Sequence, residues 1–300
     1  MLPFVSIVLS ALVGPPRVVF TDCDGTMLQP DHTLSDAASE MLHKLDAAGV
    51  RVVPATGRAR AGIWTKNVLD AHPVLKNGNP GVYINGCSAF DEDGKPLSST
   101  LLPETVVRSV LDWYSSTLAS DTMALVAYVG GEALYERGPR ALYDQIEALG
   151  DSPPRQVESI PPDQVFKMIL VCNTDDEVQQ IRPSLSPLVA GTESCAGGQL
   201  TQALPGYLEI VPSSASKATA CAALLERWGL EWADAVTIGD GSNDLPMLEA
   251  ARRGGGTSIA MGNAGSVVKS AAAHVVGSNA EDGWVDAMER HVLSLLSQSE

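Results

Sequence analysis

Apolar runs and helical patterns alternate along the first part of the chain. Residues 18–20 (V-V-F) are apolar and largely β-branched, which is typical of a strand buried on both faces of a sheet. A helical pattern follows, with Ser35 as its N-cap and Gly49 just beyond its last turn. A second strand is predicted over residues 50–54, followed by a helix around Ile63. Two strands that are each followed by a helix predict parallel pairing in a doubly wound α/β sheet.

The same alternation returns in the last third of the chain. Ser216 is a suitable N-cap for a helix that runs through Trp228, and Lys217 falls in the first turn of that helix. A lysine there opposes the helix macrodipole, so its position is a mild anomaly. The other elements predicted for this sheet are a short strand at residues 82–85, strands at 235–238, 257–260 and around Val275, a helix to about Ala272, and a terminal helix from about Glu281.

The pattern changes between these two parts and predicts an inserted α+β module. Its predicted elements are a hairpin turn at residues 91–95, helices at 104–118 and 140–149, strands at 123–129, 133–135 and 165–171, and a closing hairpin at 200–211. The predicted domains are therefore a first core segment (1–89), an α+β cap (90–212) and a second core segment (213–300).

Two carboxylates stand where the first buried strand ends. Asp22 and Asp24 lie one residue apart in D-C-D-G-T (residues 22–26), and Gly25 permits a sharp exit from the strand. The carboxyl edge of a parallel sheet is where open α/β proteins bind ligands. An ordinary Asp-rich loop after a core strand is the structural alternative.

Other strand and helix ends are predicted to meet the same edge. Taken singly, each has a structural explanation as a turn, a solvated lysine or a capped helix start. Together they are harder to dismiss, because converging carboxylates repel one another unless they hold a hard divalent cation, and Mg²⁺ suits this donor set best. The predicted metal residues are Asp22, Asp24, Asp240 and Asp244, and the predicted phosphate-binding residues are Thr56, Gly57, Lys217 and Asn243.

A division of labour follows once a metal is assumed at this edge. Asp22 is the candidate nucleophile that attacks phosphorus and forms an aspartyl-phosphate. Asp24 can protonate the leaving oxygen and then deprotonate the attacking water. Thr56 and Lys217 would bind the oxygens of the transferring phosphoryl group. Asp240 completes the metal ligands, and Asp244 supports them.

The composition of the chain disfavours some classes of binding partner. The chain has 300 residues, 36 acidic and 20 basic, and a formal net charge of -16, which disfavours nucleic acid and anionic membranes as partners. A small ligand is expected instead. Oligomeric state is left open by the sequence.

The cysteines and the N-terminus bear on the compartment. The chain has 5 cysteines without any C-x-x-C pair, which indicates neither a disulfide framework nor a zinc site and favours a reducing, cytoplasmic environment. Residues 1–14 are apolar, lack a basic leading region, and are shorter than the ~20 residues that span a bilayer. A packed strand is expected there. A trimmed targeting remnant, and hence an organelle, is the open alternative.

The motifs together resemble those of a known superfamily. D-C-D-G-T, A-T-G-R (55–58), S-K (216–217) and G-D-G-S-N-D (239–244) look like the four motifs of the haloacid dehalogenase superfamily of phosphohydrolases. The tail motifs M-G-N-A (261–264) and E-D-G-W (281–284) resemble those of its Cof-type branch, subclass IIB. The resemblance implies a Rossmann-like core, Mg²⁺ dependence and hydrolysis of a small phosphate monoester such as a sugar phosphate or another phosphorylated metabolite.

Two departures and two alternatives accompany the resemblance. Ala218 stands where the family commonly has glycine, and Cys23, expected to pack in the core, stands where a hydrophobic residue is frequent. A phosphomutase or phosphotransferase acting on a sugar phosphate is one alternative, and a metabolite-binding protein without turnover is the other.

The residues named for substrate contact by position alone are Arg58, Asn85, Tyr128, Tyr207 and Glu209.

Overall fold

A computed structural model describes residues 14–60, 68–69, 72–117, 122–148, 153–191, 197–202 and 204–297. The predicted N-terminal strand and most of the predicted helix around Ile63 lie outside the described residues. The strands in chain order are β1 (Val18–Thr21), β2 (Arg51–Pro54), β3 (Gly81–Tyr83), β4 (Ser88–Phe90), β5 (Pro96–Ser99), β6 (Met123–Val129), β7 (Glu132–Tyr135), β8 (Arg155–Gln156), β9 (Val165–Cys172), β10 (Gly198–Thr201), β11 (Tyr207–Pro212), β12 (Ala235–Gly239), β13 (Thr257–Ala260) and β14 (His274–Val275). The α-helices in chain order are α1 (Asp36–Ala47), α2 (Glu104–Thr117), α3 (Arg140–Ala148), α4 (Asp175–Val189), α5 (Lys217–Trp228), α6 (Leu245–Arg253), α7 (Ser266–Ala271), α8 (Gly283–Met288) and α9 (Ser294–Leu296).

Strand β1 lies inside a five-stranded parallel sheet of order β14-β13-β12-β1-β2. Val19 pairs with Val236 on one side and with Val52 on the other. The chain continues from β1 to β2 on one side and reaches β12 on the other only after the insertion. The strand order therefore reverses at β1, and a reversal of this kind opens a ligand-binding crevice at the carboxyl ends of the strands. The predicted fold class is confirmed.

Burial on both faces explains why β1 forms where it does. Val19 packs in the cluster that contains Leu42 of α1 and Trp284 of α8. Val18 and Phe20 face the other way and pack in the cluster formed with α5 and α6. Because fully burying one such side chain stabilises a fold by about 1.5–3 kcal/mol, a one-residue slip of this strand is strongly disfavoured.

The inserted module, here called the cap, is a six-stranded sheet of order β10-β11-β9-β6-β7-β8. Its pairs are antiparallel except β7 with β8. Alternate residues of β9 face opposite sides: Met168 and Leu170 pack in the same cluster as buried side chains of α2 and α4. Ile169 and Val171 pack with residues of α3 on the other side. Helix α3 covers only part of that second face. The rest lies over the carboxyl ends of the parallel strands, here called the core edge.

The hairpin β4–β5 packs with the core rather than with the cap sheet. Ala89 of β4 belongs to the same buried cluster as Val18 and Leu224. The predicted hairpin turn at residues 91–95 joins these two strands. The predicted domain boundaries remain predictions, and the first of them falls within a strand whose partners lie on the core side.

Helix α4 and strand β3 differ from the sequence-based predictions. Helix α4 was not predicted, because Pro183 and Pro187 lie inside it and each removes a backbone donor. Burial of its apolar side, including Leu185, stabilises this helix against that cost. The strand predicted at 82–85 ends at Tyr83 and pairs in a small antiparallel sheet, β3-β4-β5. A tight turn follows it and places Asn85 at the core edge with a φ of +56°.

Among the helices in the described ranges, none combines the length and apolar character needed to cross a membrane.

Candidate active site

The backbone at the end of β1 is held from two directions. The N–H of Asp22 donates to the carbonyl of Ile238 in β12 at 3.0 Å. The Thr21 hydroxyl donates to the Asp22 carbonyl at 2.7 Å, and the buried indole N–H of Trp284 donates to that hydroxyl at 3.0 Å. Asp22 is therefore fixed both by the core sheet and by the C-terminal segment.

A glycine is needed in the turn that follows Asp22. The chain leaves β1 through a π-helical turn, Cys23–Met27, in which Gly25 has a φ of +74°. A Cβ at this position would also collide with the carboxylate of Asp240. The Thr26 hydroxyl donates to Asp240 Oδ1 at 3.1 Å. The loop after β12 thus packs directly on the turn after β1 and brings a second carboxylate to the site.

Helix α5 begins at the site and delivers Lys217, whose side chain is fully buried. Ser216 caps the helix reciprocally: its hydroxyl accepts from the Thr219 N–H at 3.1 Å, and the Thr219 hydroxyl accepts from the Ser216 N–H at 3.1 Å. Gly86 has a φ of +92°, and a Cβ there would collide with the Ser216 carbonyl. The start of α5 therefore packs tightly against the loop after β3.

The ammonium of Lys217 lies between two carboxylates. Its Nζ donates to Asp22 Oδ1 and to Asp244 Oδ1, both at 2.6 Å. Burial by itself lowers the pKa of Lys217, but the two carboxylates outweigh that effect and raise it. Burial raises the pKa of Asp22 well above its usual range, the charge of Asp244 adds to the rise, and Lys217 opposes it. The lysine that opposes the helix dipole is therefore paired with two carboxylates, and its binding of phosphoryl oxygens stays a prediction.

Asp244 supports the loop after β12. Its Oδ2 accepts from the backbone N–H groups of Asp240 and Gly241 at 3.1 and 2.9 Å, while its Oδ1 accepts from Lys217. Both of its oxygens thus have protein donors. Burial and the charge of Asp244 raise the pKa of Asp240.

The three carboxylates fit a divalent cation. Asp22, Asp240 and Asp244 bring one oxygen each to within 4.8 Å of one another. With all three ionised, the single positive charge of Lys217 leaves negative charge uncompensated in the cluster, and this charge adds to burial in raising the pKa values of Asp22 and Asp240. Hard oxygen donors and excess negative charge are what Mg²⁺ binds best. Asp22 and Asp240 are the better ligands, since the oxygens of Asp244 are already engaged.

The carboxylate of Asp24 does not join that cluster. Its Oδ2 accepts from Arg58 Nε at 2.6 Å, and its Oδ1 accepts from Arg58 Nη2 at 2.8 Å and lies 2.7 Å from His32 Nδ1. Burial raises the pKa of Asp24, but Arg58 and His32 outweigh burial and lower it overall. The side chain of Asp24 is thus paired with a bidentate arginine from the next βα turn, and a metal ligand at Asp24 stays a prediction.

The loop after β2 forms another side of the site. The Thr56 hydroxyl accepts from the backbone N–H of Arg58 at 3.1 Å, which leaves its own proton to donate. Gly57 lies against Asn85, since a Cβ there would approach Asn85 Oδ1 at 2.9 Å. Asn85 Oδ1 also accepts from Asn243 Nδ2 at 2.9 Å. Three of the predicted phosphate-binding residues, Thr56, Gly57 and Asn243, therefore lie at the core edge and line the same cavity as Asp22.

A buried ion pair of the cap reaches the core loops. Lys167 Nζ lies 3.0 Å from Glu209 Oε1, and the two side chains are 5% and 14% exposed. Lys167 Nζ also donates to the carbonyl of Gly57 at 3.3 Å. Asn85 Nδ2 donates to Glu209 Oε2 at 3.4 Å. Each member of the pair thus contacts a different loop of the core.

A cavity of about 400 Å³ lies between the core edge and the cap. Its volume is within the usual range for small-molecule sites. Residues of both regions line it: Asp22, Asp24, Gly25, His32, Thr56, Gly57, Arg58, Asn85, Tyr128, Ile146, Lys167, Ile169, Leu204, Tyr207, Glu209, Asp240, Gly241 and Asn243.

The cavity includes residues that the sequence predicted and two others, Lys167 and His32, that it did not. Tyr128, Tyr207 and Glu209 had been named by position alone, and all three line the wall. Lys167 was missed, although one lysine within the apolar strand V-F-K-M-I-L-V-C was a usable signal. His32 was missed because nothing in the sequence indicates that its loop folds back onto Asp24. Cys23 is buried, as predicted.

Comparison with known proteins gives one family over most of the chain. The model of the haloacid dehalogenase-like hydrolases matches residues 19–288. An HMP-PP phosphatase of Cronobacter sakazakii is 30% identical over 247 residues, which cover 81% of this chain and 83% of that protein. The chloroplastic endoribonuclease YBEY of Arabidopsis thaliana is 28% identical over 91% of this chain but only 46% of its own length. This chain therefore spans about half of that protein.

A solved structure shares the arrangement of core and cap. A haloacid dehalogenase-like hydrolase from Bacteroides thetaiotaomicron superposes with a TM-score of 0.78 at 25% identity. The superposition covers 92% of this chain and 99% of the other. The similarity therefore includes the inserted cap as well as the parallel sheet.

Proposed function

The chain belongs to the haloacid dehalogenase-like hydrolases, and we propose that it is a Mg²⁺-dependent phosphatase that hydrolyses a small phosphate monoester through an aspartyl-phosphate on Asp22. The family match confirms the predicted superfamily, its cap-bearing branch and the predicted enzyme class, a phosphoric monoester hydrolase. One observation carries the finer proposal. Asp22 lies in the cavity, its Oδ1 is held by Lys217, and Asp240 lies beside it.

Asp22 is the nucleophile of the first step. One of its oxygens attacks phosphorus, the P–O bond to the leaving group breaks, and the phosphoryl group becomes bonded to Asp22. The fixed backbone of Asp22 and the ammonium of Lys217 orient the carboxylate for in-line attack. Mg²⁺ held by Asp22 and Asp240 would supply positive charge that keeps Asp22 ionised and offsets its repulsion from the phosphate.

Asp24 is the proton carrier of both steps. In the first step its carboxyl group gives a proton to the leaving oxygen, and the alcohol departs. In the second step its carboxylate takes a proton from a water molecule that attacks phosphorus, and the bond from phosphorus to Asp22 breaks. Arg58 and His32 hold Asp24 ionised in the structure described here. A phosphate in the cavity offers Arg58 a competing anion, and loss of that pairing lets Asp24 take up a proton.

The phosphoryl oxygens are bound by groups of the core loops. The Thr56 hydroxyl, the Gly57 N–H and the Asn243 amide line the same cavity as Asp22 and can donate to these oxygens. Lys217 contributes a buried positive charge next to them. The transferring phosphoryl group meets the same donors in both displacements, so they assist both steps.

Phosphate release from a panel of phosphate monoesters tests the proposal. The wild-type protein, Asp22→Asn and Asp144→Asn are compared with Mg²⁺ and with a chelator. Asp144 is an exposed carboxylate on α3 that pairs with Arg140, so it controls for the Asp-to-Asn change itself. We expect metal-dependent release by the wild type and by Asp144→Asn, and at least about a 1,000-fold loss in Asp22→Asn, as for other removed nucleophiles.

Two results would contradict the proposal. Release by Asp22→Asn at the wild-type rate would exclude Asp22 as the nucleophile. Transfer of labelled phosphate to a second hydroxyl, with none in solution, would indicate a phosphomutase or phosphotransferase instead.

A further inference from the structure

The cap side of the cavity differs in chemistry from the core side. The described part of the cap contributes mainly carbon surface, from the side chains of Tyr128, Ile146, Ile169, Leu204 and Tyr207. Resting on the phosphatase function proposed above, we propose that the leaving group of the substrate is an alcohol that carries a flat aromatic or heteroaromatic ring, and not an open or cyclic polyol.

Strand register explains how these residues come to one face. Tyr128 of β6 pairs with Lys167 of β9, and Ile169 of β9 pairs with Glu209 of β11. Tyr207 lies two residues before Glu209 and therefore projects from the same side of β11. Tyr128, Ile169 and Tyr207 are thus neighbours on a single sheet face, and Ile146 of α3 and Leu204 of the loop before β11 extend the same wall.

Two aromatic residues of this wall, Tyr128 and Tyr207, line the cavity. Tyr128 is almost completely buried, and Lys167 Nζ lies 4.8 Å from the centre of its ring. The hydroxyl of Tyr207 donates to Gln145 Oε1 at 3.2 Å, on the side of α3. What faces the cavity from these positions is therefore ring and aliphatic surface, which favours an apolar, planar ligand.

The charged groups of the wall already have partners. Lys167 donates to Glu209 and to the Gly57 carbonyl, and its third neighbour is the ring of Tyr128. Glu209 accepts from Lys167 and from Asn85. A polyol bound here would place several hydroxyls against carbon surface, and each hydroxyl without a partner weakens binding. A ring loses little on entering and gains by burying its faces.

Esters of matched chemistry test the proposal. Benzyl phosphate, pyridoxamine 5′-phosphate, ribose 5-phosphate and glycerol 3-phosphate are all primary phosphate esters, so the bond that breaks is similar in each. We expect the kcat/KM of the wild type for the two ring esters to exceed that for the two polyol esters by about 10-fold or more, the range for one good aromatic contact. Cyclohexylmethyl phosphate, an apolar ester without a flat ring, is expected between the two groups.

A pair of variants assigns the preference to the wall. Tyr207→Leu removes one ring from the cavity, and Tyr135→Leu makes the same change in the cap away from the cavity, where Tyr135 stacks on Tyr143. We expect the ratio of kcat/KM for ring over polyol esters to fall about 10-fold in Tyr207→Leu and to keep its wild-type value in Tyr135→Leu. Thermal unfolding of both variants reports whether a loss reflects folding.

The outcomes separate this inference from the phosphatase function. Hydrolysis of polyol esters as fast as, or faster than, ring esters would overturn the ring preference and leave the phosphatase function standing. Absence of hydrolysis for every ester would contradict the phosphatase function. In that case calorimetric binding to Asp22→Asn decides the ring preference: tighter binding of pyridoxamine 5′-phosphate than of ribose 5-phosphate supports it, and equal or weaker binding overturns it.

Discussion

The core edge and the cap face, meaning the side of the cap that lines the cavity, meet at one cavity but differ in the interactions that they offer. At the core edge, buried charges are packed against one another, and Lys217 contacts two carboxylates with no exposed surface of its own. On the cap face, one ion pair sits within carbon surface. Electrostatic preorganisation belongs to the side that handles phosphate, where charge develops in the transition state. Apolar surface belongs to the side that meets the rest of the substrate.

The two regions also differ in how their residues are held. The core residues follow strand ends and a helix start, and each is fixed by contacts from distant parts of the chain, such as the indole of Trp284. The cap residues are fixed by the register of β6, β9 and β11. Changes at the core edge should therefore abolish the reaction, whereas changes on the cap face should redirect it.

Lys217→Met should have the largest effect among the variants that leave Asp22 in place. It leaves Asp22 and Asp244 without their shared ammonium, so we expect kcat to fall by about 100- to 1,000-fold. The free energy of unfolding should fall by about 3–5 kcal/mol, as when one partner of a buried ion pair is removed. Phosphate release and urea unfolding measure the two effects. Lys44→Met, at an exposed lysine that pairs with Glu40, is the control and should change stability by less than about 1 kcal/mol. A similar cost in both variants would contradict the account.

Lys167→Met probes the ion pair of the cap. Glu209 would be left buried without its partner, so we expect a loss of about 3 kcal/mol in the free energy of unfolding. Adding Glu209→Gln removes the unpaired charge and should recover part of that loss. A double-mutant cycle in urea gives the coupling energy, which we expect to be about 1–3 kcal/mol. Strictly additive losses would mean that the pair contributes little to holding the cap on the core.

Cys87 reports on the contact between the two regions, since its Sγ donates to the Phe166 carbonyl of β9 at 3.7 Å. Burial raises the pKa of Cys87 to about 12, with Lys167 opposing the rise. When the pKa of a thiol is raised in the folded protein, its contribution to the free energy of unfolding is fully present at pH values below the pKa of the unfolded chain, about 8.5. This contribution is lost as pH rises towards the pKa of the folded protein.

Stability should therefore decline in alkaline solution, and less so without this thiol. Urea unfolding at about pH 8 and about pH 10.5 should show a decline that is about 1–2 kcal/mol smaller in Cys87→Ala than in the wild type. An identical decline in both proteins would indicate that the thiol is accessible to water and that the contact with β9 is open.

Trp284→Phe should have the smallest effect. It keeps most of the buried ring and removes the N–H that binds Thr21, so about 1 kcal/mol of stability should be lost. Because Thr21 fixes the backbone of Asp22, kcat should also fall, by about 3- to 10-fold. Trp228→Phe is the matched control, since that indole N–H binds Glu92 on the core hairpin. If kcat falls equally in both variants, the contact with Thr21 does not position the nucleophile.

The same division between core and cap separates what the sequence predicts from what it does not. Asp22, Thr56 and Asp240 directly follow strands with a clear apolar pattern, and parallel strands bring their carboxyl ends to one edge. Short-range rules are therefore enough to bring them together. Lys217 joins the same set because Ser216 caps a predicted helix whose first turn carries it, and the structure gives it the two carboxylate partners described above.

Residues whose roles depend on long-range pairing were harder to predict. The partners of Asp24 are Arg58 and His32, and no local sequence pattern predicts that both side chains contact it. Lys167 reaches the core only because β9 lies between β6 and β11 in the cap sheet. Helix α4 forms despite two internal prolines, because burial against the cap sheet outweighs local propensity.

The stereochemistry of phosphoryl transfer tests the central claim most directly, namely that the core edge performs two successive displacements through Asp22. A preferred ester made chiral at phosphorus with sulfur and oxygen isotopes would be hydrolysed in isotopically labelled water by the wild-type protein with Mg²⁺. Each in-line displacement inverts the phosphorus centre, so the account predicts net retention of configuration. Net inversion would mean that water attacks the ester directly, and the role assigned to Asp22 would be wrong.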